Sequence, residues 1–164
     1  MSAYFHFRAV PASALRNSTS WLRRLFDDDQ DALRGRLRRH REEVLDDRYP
    51  DQQLLYADTP PEHADAGPGA HVVLGGQRVY STGPKQSPFL LLTAAQTTRV
   101  AAFLAGSDFD DLWRPVRPEL LSRYGGPAEE ARTRAAFAAA HADLTAFYTT
   151  TARYGDAVVK WLHT

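Results

Sequence analysis

The chain has 164 residues, 43% apolar and 24% charged, with a formal net charge of zero. That size and composition suit one globular domain, taken as residues 1–164, with a core large enough to need no staple. The absence of cysteine excludes disulfides, thiol catalysis and thiolate metal sites, and the balanced charge gives no basic excess for nucleic acid.

Residues 3–9 alternate, with Ala3, Phe5, Phe7 and Ala9 on one face and Tyr4, His6 and Arg8 on the other. Period two with aromatics predicts a half-buried strand, ended by Pro11. Trp21, Leu22, Leu25 and Phe26 then recur at helical spacing. A second helix is expected from Asp29 to Leu45, with Asp27, Asp28 and Asp29 at its positive end. Residues 46–70 are the least readable, apart from the apolar patch Leu54, Leu55, Tyr56 and an exposed loop, DTPPEHADAGPG.

His71–Leu74 and Phe89–Leu92, both apolar and bounded by Gly and Pro, read as two buried strands, or as a strand and an extended segment, around a loop. Thr93 reads as the N-cap of a helix that buries Val100, Phe103 and Leu104 and stops at Gly106. Another helix starts at Ser107 with Asp108, Asp110 and Asp111 in its first turn, and Pro115 and Pro118 are expected to break it. After a turn at Gly125 and Gly126, Pro127 to Tyr154 reads as one long helix with Phe137, His141, Leu144 and Tyr148 on a single stripe. Gly155 ends it, and AVVKWLH forms a last strand, buried on both faces. The order predicts an α+β fold: a single domain with a small mixed sheet, including both terminal strands, covered by several helices.

The stretch HVVLGGQRVYSTGPKQSPFLLLT carries two adjacent glycines and a Gly-Pro-Lys. A phosphate-binding loop needs backbone amides, a lysine, then a hydroxyl opening a helix. Here Pro84 has no amide to give, and Lys85 leads into a strand-like FLLL. The glycines therefore read as loop punctuation.

No metal-binding or nucleophile motif stands at motif spacing. Asp108, Asp110 and Asp111 are better explained as a helix start than as ligands. His141 is expected to be buried and hydrogen-bonded, and His6 and His163 could meet if the terminal strands pair. The one basic cluster, Arg34 to Arg41, sits among eight acids in residues 20–48 and reads as an ion-paired face. No catalytic, cofactor-binding or metal residue is assigned, and no cofactor is expected.

Val73-Leu74-Gly75-Gly76, the helix entry at Leu92-Thr93, and the exit from Phe147-Tyr148 through Gly155-Asp156-Ala157-Val158 together resemble the YfbM-like family, small bacterial proteins of unknown function. The opening AYFHFRAVPASAL is similar to that family's first strand and helix, while residues 46–70 do not match its pattern. The resemblance implies an α+β fold and a bacterial cytoplasmic origin, and supplies no reaction. The opening MSAYFHFRAV lacks signal-peptide character, and no run reaches the roughly 18 apolar residues of a membrane span. A cytoplasmic protein-binding module is expected, with a possible protein partner, no membrane, nucleic acid disfavoured and oligomeric state open. The alternative is a small-molecule-binding protein or enzyme with a histidine-containing pocket beside the sheet, using His6, His141 or His163.

Overall fold

The computed structural model describes residues 3–27, 30–57, 67–81, 83 and 86–164. Strand β1 (Tyr4–Val10) buries Phe5 and Phe7 on one face, as its alternation predicts. After a short 3-10 turn, α1 (Thr19–Leu25) covers the opposite face through Leu22, Trp21, Leu25 and Phe26.

Helix α2 runs Gln30–Arg38, and the expected continuation to Leu45 is wrong. His40 takes φ 54, Arg41 N–H closes onto Arg36 O at 2.8 Å, and Glu42–Leu45 becomes strand β2. The reason is long-range: β2 pairs antiparallel with β1, Phe5 opposite Leu45 and Phe7 opposite Glu43. A ladder along a strand's open edge outweighs local helix propensity. Asp28 and Asp29 lie outside the described residues, as does most of the DTPPEHADAGPG loop.

Helices α3 (Tyr49–Leu54) and α4 (Gly67–His71) occupy the segment that was hardest to read. The strand expected at His71–Leu74 is not formed. Val72 and Val73 are fully buried, but in a turn after α4. The strand lies later, at β3 (Gln77–Val79), pairing with β4 (Phe89–Leu92).

Helix α5 (Ala94–Ala105) begins with a capping box. Gln96 N–H donates to Thr93 Oγ1 at 3.1 Å, and Thr93 N–H to Gln96 Oε1 at 2.9 Å. Helix α6 (Phe109–Arg123) passes through Pro115 and Pro118 without a break. Both prolines are exposed, so water can satisfy the carbonyls they leave unpaired, while Trp113, Leu120 and Leu121 pin the other face in the core. Helix α7 (Glu130–Arg153) buries the expected stripe of Phe137, His141, Leu144 and Tyr148. Gly155, at φ 67, turns the chain into β5 (Ala157–His163).

The five strands form one sheet in the order β2-β1-β5-β4-β3. This is the expected single α+β domain with both terminal strands in one sheet, and β5 lies at its centre. Every pairing is antiparallel rather than mixed. One face carries the main core beneath α3 to α7, including Phe7, Leu92, Phe147 and Val158. The other carries a smaller cluster under α1, built on Val10, Phe89, Leu91 and Val159.

Candidate functional site

The groups with chemistry fall into two classes: those consumed by the fold and those left open. Lys160 belongs to the first. It sits mid-strand on β5 with 0% exposure, and its Nζ donates to His71 O at 2.6 Å, Val73 O at 2.9 Å and Gly75 O at 2.8 Å. Burial alone pushes the amine's pKa well down. Yet three carbonyls take three protons, which only the ammonium supplies. Gln53 works beside it: its Oε1 accepts from Val73 N–H at 2.9 Å and Leu74 N–H at 2.7 Å, and its Nε2 donates to Gly69 O at 3.0 Å. Tyr148 O–H donates to Val72 O at 2.7 Å. Side chains thus replace the ladder that residues 71–74 would have had as a strand.

His141 is likewise absorbed. Its Nδ1 lies 3.0 Å from Tyr56 Oη, and Gln52 Nε2 lies 3.1 Å from the same hydroxyl. Gln52 Nε2 also donates to Phe137 O at 3.3 Å. The phenol accepts from the Gln52 amide and shares with the imidazole a hydrogen bond whose direction follows the His141 tautomer. Burial lowers the His141 pKa, which favours the neutral ring.

On the other sheet face the terminal strands bring His6 and His163 together, ring centroids 4.5 Å apart, with Phe26 over both. His6 Nδ1 and His163 Nε2 are buried without a hydrogen-bond partner. Burial, then the charges of His163 and Arg36, lower His6 from 6.5 to about 4. A depressed histidine pKa means the unfolded chain binds the extra proton first. Stability is therefore full above pH 6.5 and is lost as pH falls from 6.5 towards 4. His6→Phe is expected to flatten that loss, raising the urea midpoint more at pH 5 than at pH 8; an equal gain at both would show that the pair does not titrate.

Among the recesses of the described residues, two gather four charged side chains each. The first is a cleft of about 250 Å³ between β2 and α7, walled by Glu43, Asp143, Gln52, Val44, Phe137 and Ala140. Burial chiefly, helped by the charge of Asp143 and opposed by the Val44 N–H, raises Glu43 from 4.5 to about 7. The second is a wide recess of about 670 Å³ lined by Arg8, Ala9, Arg36, Arg39, Arg41 and Tyr154. Arg36 Nε donates to Glu42 Oε2 at 2.6 Å, Arg41 pairs with Asp156, and Arg8 donates to Leu25 O. Arg41 also lies 4.6 Å from the centroid of the Tyr154 ring, yet its Nη1 is buried with no partner. Arg39, exposed at the rim, forms no ion pair among the described residues.

A family model described as "Domain of unknown function (DUF1877)" matches residues 1–161. The chain belongs to this family. The crystal structure of YfbM from Escherichia coli, a protein of unknown function, superposes with a TM-score of 0.61 at 17% identity. The match covers 99% of this chain and all of that one, and shows the shared fold. A search of curated proteins finds no match.

Several sequence expectations for this DUF1877 chain hold. His141 is buried and hydrogen-bonded, His6 meets His163, and Asp108 caps α6 by accepting from Asp110 N–H at 2.9 Å. The Arg34–Arg41 cluster is partly ion-paired, through Arg34, Arg36 and Arg41. Pro84 and Lys85 lie outside the described residues. Sequence reasoning missed Lys160, Gln52 and Glu43. Lys160 had a signal: it is one of two lysines in an arginine-rich chain, placed in a strand that reads as buried on both faces. Glu43 had none, since it was assigned to a helix.

Proposed function

We propose that this chain is a non-enzymatic, cytoplasmic binding module that takes an acidic surface of a protein partner into the arginine recess. One observation carries this reading. Arg39 and the buried Nη1 of Arg41 retain donors in one recess beside Tyr154, which is 68% exposed. Arginine and tyrosine are the residues that most often dominate protein interfaces, and a guanidinium fork suits a carboxylate.

The test follows the arginine side-chain N–H signals by NMR while a short aspartate- and glutamate-rich peptide is added. Arg39 and Arg41 are expected to shift saturably at low salt and far less at 0.3 M salt, where the Debye length is about 6 Å. Equal shifts at Arg114 and Arg132, which lie outside the recess, would reduce the effect to a generic surface charge.

A second reading, a small-molecule-binding protein, is favoured by the cleft at Glu43 and not by the histidines. The four recesses at Glu43, Tyr80, Arg39 and Trp161 have no histidine in their walls.

A further inference from the structure

We propose that the cleft between β2 and α7 binds a small organic cation, an alkylammonium or guanidinium group on a short apolar stem. This deepens the small-molecule reading and is independent of the arginine recess. Glu43 and Asp143 bring two carboxylates to the cleft. Val44 N–H donates to Glu43 Oε1 at 3.0 Å, leaving the other oxygen without a described partner. The only cation in the wall, Arg48, is already committed: its Nε reaches both oxygens of Asp46, at 3.1 and 3.0 Å.

The decisive group is Gln52. It is 2% exposed, lines the cleft, and spends its Nε2 on Tyr56 Oη and Phe137 O. A peptide carbonyl only accepts, so the amide cannot be reversed. Its Oε1 is therefore the acceptor that remains, and no described residue donates to it. That oxygen is not one of the atoms sealed from solvent without a partner, so it is reachable from the cleft and can accept from a ligand's donor. The cleft thus offers acceptors and negative charge, and its occupant has to bring donors and positive charge. Ala136, Ala139 and Ala140, one side of α7, leave the room, and Leu45 and Phe137 supply apolar wall for a stem.

The site has a built-in proton coupling. Glu43 faces Asp143 from α7, the Asp46–Arg48 pair just past its own strand, and on the sheet face Phe7, beyond which lies Lys160. With its carboxyl raised to about 7, a bound cation draws out the ionised form and releases a proton.

The test is titration of the full chain with n-butylammonium, followed by backbone amide shifts, with n-butanol as the uncharged control. The ammonium keeps its charge throughout, since its pKa lies near lysine's, about 10.4. Saturable shifts at Val44 and Ala140 are expected, with affinity about tenfold weaker at pH 6 than at pH 8, following the ionised fraction of Glu43. Glu43→Gln should abolish that pH dependence. Asp143→Asn, an exposed change that leaves folding alone, should weaken binding severalfold, and Arg39→Glu should leave it unchanged. Equal affinity for n-butanol, affinity that ignores pH between 6 and 8, or binding unaltered in Asp143→Asn would each overturn the assignment.

Discussion

Lys160→Met is expected to lower stability by about 4 kcal/mol, since it leaves three buried carbonyls without a donor at roughly 1–3 kcal/mol each before relaxation. For a chain of this length that is a fall in Tm of about 8–16 °C. Methionine keeps the stem's volume, so the loss reports the ammonium rather than a cavity. Lys160→Arg should not rescue it. Its acceptors surround one point at 2.6, 2.9 and 2.8 Å, an arrangement that suits a compact ammonium and not a planar fork. Thermal unfolding of both variants checks this. A methionine variant within about 1 kcal/mol of wild type, the ordinary size of a single mutation, would mean that water or relaxation satisfies the carbonyls.

Gly75→Ala is expected to cost about 3 kcal/mol, at the upper end of overpacking effects. A Cβ there would lie 2.3 Å from Ala70 O and 2.8 Å from Ala70 C and His71 Cδ2. Two of those atoms are backbone, so the turn itself has to move, and Gly75 O moves away from Lys160 with it. The two substitutions therefore damage one structure. In a double-mutant cycle their combined cost should fall short of the sum by more than about 0.5 kcal/mol. Strict additivity would separate the glycine's role from the lysine's. The paired glycines of this stretch thus have a use: Gly75 permits the close approach that brings its carbonyl to Lys160, and Gly76, at φ 132, leads into β3.

Elements whose determinants are local were legible in the sequence. The alternation of residues 3–9, the Thr93 cap with Gln96, and the stripe from Phe137 to Tyr148 each lie within a few turns or one strand. Two segments misled because their partners are distant. Glu42–Leu45 becomes a strand only because β1 offers an edge, and residues 71–74 give up strand geometry because Gln53 and Lys160 satisfy their backbone. The prolines of α6 misled for the opposite reason: exposed positions tolerate what a buried helix would not. The candidate sites were harder still. Glu43 and Asp143 are a hundred residues apart and meet only when β2 lies against α7. The arginine recess was visible as a cluster, but not which of its charges the fold leaves over.

The claim that this recess is the working surface is tested most directly by capture. Tagged wild type and Arg39→Glu are exposed to lysate of the source organism, and retained proteins are compared with a tag-only control. Arg39 is exposed and unpaired among the described residues, so the reversal leaves the fold intact. The account predicts an acidic partner held stoichiometrically by wild type, released by salt and lost with Arg39→Glu. The same partner held equally by both, or none held by wild type, would contradict it.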